Sequence, residues 1–243
     1  MIGLSTRDRV QALWDEMSQT VPPYPKGVVP VPKPIKGTAF FPGGLGLCFE
    51  ESSAVGPEHT AVMVVGQDFN TAATYEHAFE RETEIDSSQT WWNIRSVFRK
   101  LALPIDQCFF TNFYMGLREG GSEIGPFPGR NDRNFVQRCA RFFERELEVM
   151  RPRLIVTLGT VPLVAIGKEV FKRSMPRILS ECVDVYHDLP AAHGSVALVA
   201  LTHPSLYFAN VGRRRFRGLK GLDAERAMVQ TAAGKIEGWA HGT

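Results

Sequence analysis

No stretch of this 243-residue chain stays apolar long enough to cross a bilayer, no cysteines stand in CxxC spacing, and neither sign of charge prevails. The first absence excludes a membrane-spanning helix and leaves no membrane partner to expect. The four cysteines, Cys48, Cys108, Cys139 and Cys182, are widely and irregularly spaced, which argues against a metal knuckle and for reduced thiols. A formal net charge of +2 is too mild to call for a polyanion partner by itself. The opening "MIGLSTRDRVQALWDEM" reaches acids too soon to be a secretory leader, so the expected compartment is the cytoplasm. No internal repeat is present, and one proline-rich tract is the chain's only biased segment.

What is present reads as one α/β domain spanning residues 1–243, with 44% apolar and 22% charged residues. Ser5 followed by Asp8 forms a capping-box pattern, and Val10, Leu13, Trp14 and Met17 recur at helical spacing, so residues 5–19 are predicted to be an amphipathic helix. Six prolines between Val21 and Gly37 forbid helix and ladder pairing; the 21–37 segment is expected to be an extended polyproline strap on the surface. Strands are predicted at 61–66, 107–113, 153–159 and 195–201. They alternate with helices near 90–102, from 132, over 160–170 and over 223–236, the last opened by Asp223 as N-cap. Alternation of this kind predicts a three-layer αβα architecture on a central, mainly parallel four-stranded sheet.

Parallel sheets carry ligands outside the carboxyl ends of their strands. Here each strand leaves a polar marker at that end: Gln67 and Asp68, then Asn112, then Thr160, then His203 with Ser205. A lone acid after a strand is most often a cap or turn residue and a lone histidine most often structural, but an acid, an amide and an imidazole on one rim form a chemical set. A second feature is "GRRRFRGLKG" at 212–221, with five cations and no acid, which reads either as a solvated loop or as a phosphate-contacting run. Arg118, Arg130 and Arg133 form another candidate cationic patch.

Four segments in order resemble the uracil-DNA glycosylase superfamily: "GQDFN" is similar to its GQDPY motif, "FFTNF" to the segment holding its pyrimidine-reading Asn, "RPRLIVTLGTVPL" to its strand ending in Leu-Gly, and "LTHPSLY" to its His-Pro-Ser loop. The resemblance covers residues 60–235. It implies hydrolysis of the bond between a deaminated base, uracil first, and deoxyribose in DNA. Asp68 would stabilise the cationic sugar and orient or deprotonate water, and His203 would steady the leaving base. It assigns Gln67, Phe69, Asn70 and Asn112 to base binding, Leu206 to the wedge that opens the duplex, and Ser205, Tyr207, Arg213, Arg214 and Arg215 to DNA contact. The implied partner is DNA bearing a damaged base, taken up by a monomer, with no cofactor, no metal and no iron–sulfur cluster. Cys108 and Cys139 read as core residues.

Two positions depart from the motif: Phe69 replaces its proline, and Asn70 the tyrosine that stands against the thymine methyl in those enzymes. Base selectivity therefore stays open, as does the aromatic that stacks on the base, for which Phe69, Trp91 and Trp92 are candidates; core packing is the other reading of both tryptophans. A member of the same superfamily that binds a base, nucleotide or single strand without hydrolysis is the alternative function, and a hydrolase of free nucleosides a third.

Overall fold

The computed structural model describes residues 5–35, 39–47, 61–84 and 88–234. Helix α1 (Thr6–Thr20) starts at the expected box: Asp8 N–H donates to Ser5 Oγ at 3.1 Å, and Ser5 N–H donates to the Asp8 carboxylate at 3.2 Å. The proline strap then departs from expectation, because two of its four valines form strand β1 (Val28–Val29). Prolines remove donors only where they stand, and Val28 and Val29, between Gly27 and Pro30, both keep their N–H groups.

The chain continues through β2 (Val62–Gly66), α2 (Ala72–Glu80), α3 (Gln89–Leu101), β3 (Cys108–Asn112), β4 (Leu117–Arg118), α4 (Arg133–Met150), β5 (Leu154–Leu158) and α5 (Thr160–Glu169). It then forms β6 (Tyr186–Ala191), β7 (Gly194–Leu201), the short α6 (Tyr207–Asn210), a hairpin of β8 (Arg215–Phe216) and β9 (Leu219–Lys220), and α7 (Gly221–Ala233). Strand β1 pairs antiparallel with β4, Val28 opposite Arg118.

The central sheet has five strands in the order β3-β2-β5-β7-β6, one more than the sequence predicts. The first four are parallel, while β6 joins the edge antiparallel to β7. Its "YHDLPA" buries only Leu189 fully, so it lacks the apolar run that betrays the inner strands. On the other edge, Phe41 N–H donates to Phe110 O and Asn112 N–H to Phe41 O, so the 39–47 segment covers the exposed side of β3.

Side chains alternate across the pleat. Met63, Val65, Phe109 and Ile155 pack with α1, α4 and α5 on one face, and Val62, Val64, Phe110 and Val156 with α2, α3 and α7 on the other. The result is the αβα sandwich. Cys108 and Cys139 are buried among these apolar side chains, and burial pushes the Cys139 thiol up to about 12. Cys48 and residues 235 and 236 lie outside the described residues. Helix α7 begins earlier than expected: Lys220 is its N-cap, and Asp223 sits inside the first turn. Among the described residues no helix is long and apolar enough to cross a membrane.

Candidate active site at the carboxyl rim

Strands β2 and β3 run in register, with Gly66 opposite Asn112. The Asn112 side chain is buried and folds back over its partner, so that a Cβ at position 66 would lie 2.4 Å from Asn112 Oδ1. Only glycine leaves room there. Asn112 Nδ2 donates to Phe41 O at 3.3 Å, which fixes the amide plane at the end of the sheet.

Two residues past Gly66, the Asp68 carboxylate is fully engaged. Its Oδ1 accepts from Asn70 N–H at 2.9 Å and Arg118 Nε at 3.1 Å; its Oδ2 accepts from Gln67 Nε2 at 3.0 Å and Arg118 Nη2 at 2.8 Å. The Arg118 and Asp68 side chains are 5% and 6% exposed. A carboxylate offers about four lone-pair sites, and here four N–H groups take them. The guanidinium is equally occupied: Nη1 donates to the carbonyls of Ser122 and Pro126, and Nη2 also to that of Gly125. Gln67 Nε2 donates to the same Gly125 carbonyl at 3.2 Å. The glycine-rich segment 119–126 is thereby tied down beside the acid.

Arg118 is thus one of the residues that sequence reasoning misplaced. It belongs with the acid and not with a surface phosphate patch, whereas Arg130 and Arg133 of that patch are exposed. A buried arginine and a solvated one look alike in sequence. The available signal was its place directly after the apolar Leu117 in a segment that returns toward the strand end.

His203 follows β7 and caps a one-turn 3-10 helix, Pro204–Leu206. Its Nδ1 lies 3.3 Å from Ser205 N–H and 2.7 Å from Ser205 Oγ. Because a backbone N–H can only donate, Nδ1 is the acceptor, and the proton of the neutral ring sits on Nε2. Burial lowers the His203 pKa, and the negative charge of Asp68 acts in the opposite direction, which puts the acid and the imidazole in one electrostatic neighbourhood. The strand end is further held by Asn93, whose Nδ2 donates to Pro204 O at 2.8 Å.

The remaining candidates divide sharply. Gln67 and Asn70 lie half-buried beside the acid; Asn70 has φ 87°, its Oδ1 accepting from Thr71 N–H and its carbonyl from Arg118 N–H. Phe69 is buried, edge-on to Tyr75 at 5.5 Å, with its ring tip filling the space a side chain at Gly43 would need. Of the two tryptophans, Trp91 is buried and donates to Glu84 at 2.9 Å, but Trp92 is 64% exposed, so core packing holds for the first alone. Leu206 and Phe208 project into solvent at 56% and 75% exposure, and Ser205, Arg213 and Arg215 are exposed around them.

Two assignments to DNA contact need correction. Tyr207 is buried, its ring turned into the core by the first turn of α6. Arg214 is fully buried: Nη1 donates to Leu179 O and Nη2 to Ala200 O, each at 2.7 Å, and Nε pairs with Glu225 at 3.2 Å. In "GRRRF" the backbone enters β8, and strand alternation sends neighbouring arginines to opposite sides. Among the described residues no three histidine, cysteine or carboxylate side chains gather to hold a metal ion.

A comparison with curated protein sequences gives no match. A family profile, that of the uracil DNA glycosylase superfamily, matches residues 53–225, a span that runs from before β2 into α7 and holds every rim residue described above. With most of its length covered by that match, and with the αβα fold that the motifs imply, the chain belongs to the uracil DNA glycosylase superfamily.

Proposed function

We propose that this protein is a DNA glycosylase that hydrolyses the N-glycosidic bond of a flipped, deaminated base, uracil first. The observation that carries the reading is the state of His203: a neutral ring with its proton on Nε2, in the field of Asp68, on the rim that also holds Asn112. A leaving base departs with the bonding electrons, and a fixed neutral donor stabilises that charge without having to lose a proton. Asn112 can donate and accept along the edge of a pyrimidine.

The part Asp68 takes is electrostatic. With each lone pair engaged, it has no site from which to take a proton from water, but its charge still favours a cationic sugar. Water adding to such a cation needs little help from a base. Arg118 offsets part of the charge, so the expected enzyme is a slow one.

The test is incubation with single- and double-stranded oligonucleotides carrying one uracil or one hypoxanthine, scoring alkali-labile abasic sites. His203→Ala is expected to lower base release on the order of 100-fold with folding intact. Equal cleavage by this variant and the native protein would sink the assignment. The closed Arg118–Asp68 pair favours one other reading, a superfamily member that binds unpaired nucleic acid without cutting it; binding of both oligonucleotides without abasic sites would select it.

A further inference from the structure

Beneath the loop that carries His203 lies a buried polar cluster that the chemistry above does not use. Its centre is Glu225 of α7, with no solvent exposure. One oxygen, Oε1, accepts from Thr202 N–H at 2.6 Å and from Thr202 Oγ at 2.7 Å, and lies 3.2 Å from Arg214 Nε. Arg214 is held in turn by the carbonyls of Ala200 and Leu179. Burial, and next to it the same Glu225 carboxyl, raise the pKa of the Tyr207 phenol. A single carboxyl group therefore meets the residue before His203 and the residue after Arg213, and its charge acts on the buried tyrosine between them.

A buried ion pair is a poor device for stability, since apolar side chains of similar volume often do as well or better. What it supplies is a fixed geometry. Between the clasped ends stand His203, Ser205, exposed Leu206 and Phe208, and Arg213. Driving an apolar wedge into stacked bases loads the loop by a few kcal/mol, and that load has to reach the rigid body of the fold. Thr202 and Arg214 are the points at which it can do so, and both lead to α7.

We propose that Glu225 is a positioning residue that braces the 203–213 loop so that Leu206 can displace a nucleotide from duplex DNA. The proposal rests on the reading that this rim acts on a base in DNA. It predicts a defect specific to paired DNA, because an unpaired base is already free of its stack.

The experiment uses Glu225→Gln, which keeps Oε1 as an acceptor for Thr202 and keeps the volume but removes the charge facing Arg214. A duplex with 2-aminopurine beside a uracil reports base opening by fluorescence with no need for hydrolysis. The native protein is expected to raise the fluorescence, and Glu225→Gln to require a roughly tenfold higher concentration for the same rise, the cost of turning a charge-assisted contact into a neutral one. Affinity for the same uracil in a single strand should change much less. Parallel losses on duplex and single strand, or none on either, would overturn the proposal. Should Glu225→Gln not fold, Thr202→Val removes the Oγ bond alone and is read in the same way. Native protein that opens the duplex but releases no base would refute the glycosylase reading and leave the brace standing; native protein that opens nothing would refute the brace.

Discussion

Both Asp68 oxygens and all three Arg118 nitrogens are matched and water is nearly shut out, whereas around His203 the neighbouring Ser205, Leu206, Phe208 and Arg213 stand in solvent. Both sides grow from ends of the same parallel sheet, yet one is finished without a ligand and the other is not. The difference assigns them different tasks. The closed side can hold a charge in place but cannot rearrange cheaply; the open side has surface to exchange for a strand of DNA.

Breaking the closed side should give the largest effect. Arg118→Met leaves a buried carboxylate unpaired and is expected to destabilise the protein by about 3–5 kcal/mol, with Asp68→Asn plus Arg118→Met recovering much of the loss. Denaturant melts of both singles and the double would measure the coupling. Additive losses would mean that the two side chains do not form a unit.

On the open side, Leu206→Ala should leave stability unchanged and lower base release from duplex on the order of tenfold, with single strands less affected. Arg213→Ser and Arg215→Ser should each reduce the slope of log affinity against log salt by about 1, while Arg214→Ser should instead lower the melting temperature. If all three arginines behave alike, the contrast between exposed and buried positions fails.

Acid sharpens the same contrast. Burial disfavours the charged form of His203, so base release should hold below the ordinary imidazole value of 6.5 before it falls. Stability moves in the same sense: the unfolded ring takes its proton near 6.5 and the folded ring only at lower pH, so stability is lost across that window on acidification. A second pH effect concerns Glu146, buried under Thr111, with Oε1 accepting the hydroxyl at 2.7 Å and Oε2 without a hydrogen-bond partner among the described residues. Burial raises its pKa well above the usual 4.5, so stability is complete at low pH and declines as pH rises past that value; Glu146→Gln should flatten the decline in a series of melts.

The inner strands were legible because a strand buried on both faces has to be apolar throughout, as "VMVV" and "LIV" are. Strand β6 was not, since an antiparallel edge tolerates His187, Asp188 and Pro190. The rim residues were legible through where strands end, which sequence does reveal. The partners of those residues were not: beyond the apolar Leu117 beside Arg118, nothing local distinguishes Arg118 or Arg214, each neutralised by an acid dozens of residues or a helix away, from cations that face water. Trp91 and Trp92 teach the same point on a helix, where adjacent positions are 100° apart and only one of them meets the sheet.

Strand β1 is hydrogen-bonded to the strand that carries Arg118, with Val28 directly across from it. A cut made by a protease among the exposed prolines 22, 23 or 30 would therefore be felt at the acid, although the cleaved bond lies far away along the chain. The strap makes the N-terminal arm a remote tether of the candidate site, and clipping it is a way to loosen that rim without altering any of the residues that form it.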